Sequence, residues 1–298
     1  AVRFHPATFQ GTPEPKDEPA GENPPAGAIL DYRLAADAAP LTLEIFDGGG
    51  RLVRRFSSEE KRRTADLAKI QVAPDWVPEP RPPAGRAGMH RFVWDLHHAV
   101  PDVLHDPESR REASGPWAAP GRYTVRLTAA GVRREQPLTV VRDPRVPAAD
   151  TDLVQQLELA LRIQTERVRL AEAIRRGDAL AKSAAAARPS ARGAAGELDG
   201  FLRRVEHVVG KRPVPGEEEP DESEGPPSLR TSAAALQRLQ QAVESADAAP
   251  TPDALKGFEN RRDAASQSMA SWEELLRTDL PRVDRALAAA GAKALGAE

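Results

Sequence analysis

Apolar residues in the first half of the chain recur at every second position. Leu30, Tyr32 and Leu34 alternate with Asp31 and Arg33, and Leu41, Leu43 and Ile45 with Thr42 and Glu44. A period of two puts each set on one face of a strand. The Asp47-Gly48-Gly49-Gly50 turn, where glycine permits positive φ, then returns the chain through Arg51 to Phe56 as a hairpin. Phe92, Trp94 and Leu96 repeat the alternation, as do Tyr123, Val125 and Leu127, and a turn at Ala130-Gly131 leads through Val132 to Leu138 and Val140. About six short strands, apolar on one side and mostly charged on the other, predict an immunoglobulin-like or fibronectin-III-like β-sandwich over residues 28–146. Trp94 belongs to the apolar face and is expected in the core.

After Asp143-Pro144-Arg145 the period lengthens to that of a helix. Asp150 or Thr151 is placed to cap a first helix, whose stripe runs Leu153, Leu157, Ala160, Leu161, Val168, Ala171 and Ile174. A second helix is predicted from about Gly196 to Val209 and a third from Leu229 to Val243. Thr251-Pro252-Asp253 is a strong start for a fourth, because proline at the first helical position gives up an N–H that has no partner anyway. Pro281 is expected to kink or restart that helix. Together these predict an antiparallel four-helix bundle over residues 147–298, interrupted at 211–227 by an acidic loop with five prolines.

Proline sharpens the division. Of 28 prolines, 19 precede residue 150, and six of those fall in residues 1–27, which read as an extended linker with no visible signal peptide. Across 298 residues, 42 Lys and Arg stand against 45 Asp and Glu, so the broad basic footprint of a nucleic-acid binder is missing. No apolar run reaches membrane-spanning length. With no cysteine, disulfides, thiolate metal sites and a cysteine nucleophile are excluded. No phosphate-binding loop, dinucleotide fingerprint or Gly-x-Ser-x-Gly elbow occurs, and no cofactor is implied.

A series of signatures in fixed order resembles a known family. Gly21-Glu22-Asn23-Pro24-Pro25-Ala26-Gly27-Ala28, Leu41 to Phe46 with Asp47-Gly48, and Ala87-Gly88-Met89-His90-Arg91-Phe92-Val93-Trp94-Asp95-Leu96 are similar to the C-terminal region of bacterial BNR-repeat proteins. So are Ala119-Pro120-Gly121-Arg122-Tyr123-Thr124-Val125-Arg126-Leu127, Asp143-Pro144-Arg145 and Asp279-Leu280-Pro281. Members of that family carry a sortilin-like β-propeller and are often labelled glycosyl hydrolase-like. The Ser-x-Asp-x-Gly-x-x-Trp turns of the propeller are not present here. The resemblance therefore implies the part that follows a propeller: an Ig-like module and a helical bundle, non-catalytic in isolation, docking to or stabilising the propeller in cis or in trans, in a periplasmic or secreted setting.

Two sets of side chains are candidates for binding or chemistry. Trp76 and Trp117 stand in loops near prolines and, with Arg54, are candidates for partner contact. The same tryptophans suit a second reading, a carbohydrate-binding module of a secreted glycoside hydrolase. A third reading is a metal-dependent hydrolase built on His97, Asp102, His105 and Asp106, since imidazole and carboxylate are ligands for divalent ions. Against it, adjacent His97 and His98 at a strand end point to opposite faces, and the spacing matches no established ligand motif. The carboxylates Glu217, Glu218 and Glu219 belong to the acidic loop, where an acid/base pair has no fixed separation.

Overall fold

A computed structural model of the chain describes residues 1–4, 25–60, 82–105, 114–212 and 227–296. They fall into two compact units. One comprises Ala1–Pro101, His105–Leu157 and Ala246–Ala249; the other comprises Asp102–Leu104, Glu158–Ser245 and Pro250–Glu298. Trp76, Asp106, most of the 1–27 segment and most of the acidic 211–227 segment lie outside the described residues.

In the first unit the strands are β1 (Val2–Arg3), β2 (Ala28–Leu34), β3 (Leu41–Asp47), β4 (Leu52–Ser57), β5 (Gly88–Trp94), β6 (Gly121–Ala129) and β7 (Val132–Arg142). The alternating residues do face inward. Leu41, Leu43, Ile45, Phe92, Trp94, Tyr123 and Val125 are buried in one core shared by both sheets. The sheets themselves are not those of an Ig or fibronectin-III sandwich, and that expectation is corrected here. Five strands form a curled, mixed, half-barrel sheet in the order β1-β7-β6-β3-β4, while β2 and β5 form a separate two-stranded sheet among the described residues. An Ig sandwich sets two antiparallel sheets of at least three strands face to face. Here the smaller sheet is a two-stranded ribbon, and β1 runs parallel to β7.

The first unit also contains the start of α1 (Asp150–Ala187), a helix of 38 residues. Its cap is neither Asp150 nor Thr151: the Asp152 carboxylate accepts from the Ala149 N–H at 2.8 Å, the reach-back half of a capping box. The helix continues well past Ile174 because alanine, the best helix former, fills its last turns.

The second unit holds the rest of α1 with α2 (Ala195–Val209), α3 (Leu229–Val243), α4 (Pro252–Glu274) and α5 (Leu280–Ala289). Leu159, Ile163, Leu170, Phe201, Leu236, Phe258, Trp272 and Leu287 lie in its core. The predicted antiparallel four-helix bundle is corrected too: α2, α3, α4 and α5 run close beside one another, whereas the backbone of α1 makes few close approaches to any of them. Thr251 caps α4 by accepting from Ala254 N–H, with Pro252 in the first turn. Between α4 and α5 the chain does not break. Pro281 has no N–H to give the carbonyl four residues back, and Leu275–Asp279 takes a π turn in which Leu280 N–H reaches Leu275 O. Among the described residues no helix is long and apolar enough to cross a membrane.

Candidate interaction site around Arg3 and Trp117

Beyond β5 the chain turns sharply at Leu96, a buried residue with φ of 59°. That left-handed backbone is unfavourable for a leucine, and its surroundings hold it there. Ala118 N–H donates to Leu96 O at 2.7 Å, His98 N–H to Pro116 O at 2.8 Å, and Ala99 N–H to Val53 O at 3.0 Å. The 96–99 segment is thereby stitched both to β4 and to the 116–118 stretch. Gly115 is required by this closeness, since a Cβ there would meet His98 O at 2.1 Å.

His97 and Trp117 form an isolated bridge, and their rings lie 3.9 Å apart between centroids. His97 Nδ1 is 2.8 Å from Asp95 O, a carbonyl that can only accept, so Nδ1 carries the proton in the neutral ring. Burial pushes the His97 pKa down, against the pull of the Asp95 charge. His98 is pushed further, to about 4, again chiefly by burial. Its Nε2 is buried without a hydrogen-bond partner among the described residues. Arg54 donates from Nη1 to His98 O at 2.7 Å and stands 5.2 Å from the Phe56 ring centroid.

Arg3 joins this cluster from β1. Its guanidinium carbon lies 5.7 Å from the Trp117 ring centroid. Nε and Nη2 donate to Asp247 Oδ1 at 3.1 and 2.8 Å, Nη2 also to Gln156 Oε1 at 2.6 Å, and Nη1 to Ala118 O at 3.3 Å. Gln156 in turn donates to Ala246 O at 2.6 Å, which ties the socket to the segment carrying Asp247. The second Asp247 oxygen is buried and has no donor among the described residues. A cavity of about 390 Å³ adjoins the socket, lined by Phe4, Asp143, Arg145, Val146, Pro147, Ala246 and Asp247. The Arg145 guanidinium and backbone N–H hold the Asp143 carboxyl down to about 2, and Arg145 also lies 5.4 Å from the Phe4 ring centroid.

Of the candidates read from sequence, His97, Trp117 and Arg54 meet in this neighbourhood. Trp117 is half-buried and carries the His97 ring against it. His97, Asp102 and His105 are not brought together as ligands: among the described residues no group of three or more His, Asp or Glu could hold a metal ion. Arg3, Gln156 and Asp247 were not legible. The only local signal was Val2-Arg3-Phe4, an alternating triplet ahead of the proline-rich stretch, and alternation suggests the wrong face. Val2 and Phe4 are 44% and 40% exposed, while Arg3 is 1% exposed.

No protein-family model matches the chain, and no curated protein matches it.

Proposed function

We propose that the chain is a non-catalytic interaction module that docks to or stabilises the β-propeller of a BNR-repeat, glycosyl hydrolase-like exported protein, in cis or in trans. The partner class comes from the order of signatures set out above. The observation that carries an interaction role is the β2–β5 ribbon. Its inner face supplies Phe92 and Trp94 to the core, while its outer face presents Ile29 at 42% and Met89 at 68% exposure around an Asp31–Arg91 ion pair. Among the described residues no further strand pairs with either edge of this ribbon, and exposed apolar side chains beside open edges favour association.

The test is direct titration with a sortilin-like propeller protein from the same genome, followed by analytical ultracentrifugation. Wild-type chain is expected to form a stoichiometric complex, and the Ile29→Lys, Met89→Lys double variant to bind at least tenfold more weakly. Equal affinity of the two, or absence of any complex with the wild type, removes this reading.

A further inference from the structure

The strand β1 is seated the way a peptide ligand is seated. It spans two residues, runs parallel to β7 with Val2 opposite Val141 and Arg3 opposite Arg142, and is joined by main-chain bonds from Ala1 N to Thr139 O at 2.7 Å and from Val141 N to Ala1 O at 2.8 Å. Strand addition at a sheet edge obtains affinity from such bonds and selectivity from pockets for alternate side chains. The alternate side chain here is Arg3, and the pocket beneath it is built. Asp247, Gln156 and the Ala118 carbonyl supply acceptors from three separate parts of the chain. A planar fork with five N–H groups can meet all three, whereas a lysine ammonium is a single point of charge.

We propose that the β7 edge from Thr139 to Arg142, with the Asp247 socket at its base, is a receptor groove for an extended peptide carrying an arginine between two apolar residues. Val2-Arg3-Phe4 is its resident and exchangeable occupant. One feature favours exchange and a second sets its selectivity. Main-chain bonding of a two-residue strand is slight, so residence depends on the arginine anchor. Withdrawing that anchor leaves the Asp247 carboxylate buried without its counter-charge, so the emptied groove selects another arginine over vacancy. Phe4 lines the adjoining cavity with the Arg145 guanidinium 5.4 Å from its ring, and Val2 stands opposite Val141, so both flanking positions meet groups that suit an apolar side chain. The groove does not depend on the propeller reading, and its test involves no propeller.

The experiment uses the full-length chain carrying Arg3→Ala and the synthetic peptide Ala-Val-Arg-Phe-amide, followed by calorimetry and thermal melting. The variant is expected to bind the peptide saturably with a rise in Tm. The wild type, whose own strand competes, is expected to bind at least tenfold more weakly. A peptide with lysine in place of arginine is expected to lose at least tenfold on the variant. Failure of a folded Arg3→Ala chain to bind, or equal binding of arginine and lysine peptides, overturns the proposal. Should that variant not fold, hydrogen exchange on the wild type decides it. Excess peptide is expected to lower protection of the Arg3 amide at least tenfold while leaving β6 unchanged, and unaltered protection of Arg3 overturns the proposal.

Discussion

Arg3 and Asp247 stand 244 positions apart and pair at 2.8 Å with side chains only 1% and 4% exposed. Removing one partner of such a pair leaves a buried charge uncompensated, which costs ~3–5 kcal/mol, whereas an exposed pair such as Asp31–Arg91 is screened by water and contributes little. Arg3→Ala and Asp247→Ala are each expected to lower unfolding stability by ~3–5 kcal/mol in urea titrations. Arg3→Lys, which keeps the charge but not the fork, is expected to lose ~1–3 kcal/mol. A double-mutant cycle closing with coupling below ~0.5 kcal/mol contradicts this account.

Burial of His98 gives the first unit an acid sensitivity with a definite window. Its folded pKa of about 4 lies below the ordinary histidine value of 6.5. Between those values the unfolded chain holds more protons than the folded one, so stability falls as pH falls from 6.5 toward 4 and is fully present above 6.5. The slope attributable to this one group approaches ~1.4 kcal/mol per pH unit in that window. His97, also depressed by burial, adds in the same direction. The carboxylates Asp31, Asp47, Asp143 and Glu135, all held below their ordinary values, add acid sensitivity only at pH below about 4 to 5. Urea midpoints measured from pH 7 to 4 should therefore fall in the wild type and flatten in His98→Gln; identical profiles count against the assignment.

Gly115 holds the 96–99 segment against the 116–118 stretch. A Cβ at that position meets backbone, His98 O at 2.1 Å and the His98 carbonyl carbon at 2.8 Å, and backbone cannot rotate away as a side-chain tip can. Gly115→Ala is expected to cost at least ~2–3 kcal/mol, consistent with overpacking of a tight site. Because the 96–99 segment carries the His97 ring that lies against Trp117, the variant is also expected to change tryptophan emission. A stable variant with unaltered fluorescence refutes the close approach.

How much of this was legible in sequence divides along a physical line. Period-two alternation identified the buried faces of β3, β5 and β6, because which side of a strand meets the core is decided by neighbours two residues away. It could not assign strand partners, since register and adjacency depend on residues far along the chain, and so the Ig sandwich was the wrong assembly of correctly recognised strands. The Thr251-Pro252 start of α4 was readable because a cap is local; the antiparallel four-helix bundle was the wrong assembly, because helix packing is not local. Of the site, His97, Trp117 and Arg54 drew notice as residue types. Arg3 did not, because V-R-F alternation places the apolar pair inward and the arginine outward, and the structure reverses that for the sake of an acceptor set supplied by Ala118, Gln156 and Asp247.

The π turn ahead of Pro281 offers the last test. Proline inside a helix costs ~3 kcal/mol, through a missing N–H and a ring that collides with the carbonyl four residues earlier. The widened turn at Leu275–Asp279 relieves the collision, and the Thr278 hydroxyl donates to Glu274 O at 2.8 Å. Leu275, Leu280, Val283 and Leu287 are buried on either side of it, so the register of α5 relative to α4 is set by packing as well as by the proline. Pro281→Ala restores a donor without disturbing any of those side chains. The expected outcome is a gain of ~1–3 kcal/mol with an unchanged denaturant m-value, the lower end applying if the π turn persists. A loss of stability shows instead that the fixed φ of proline is what positions Val283 and Leu287 in the core.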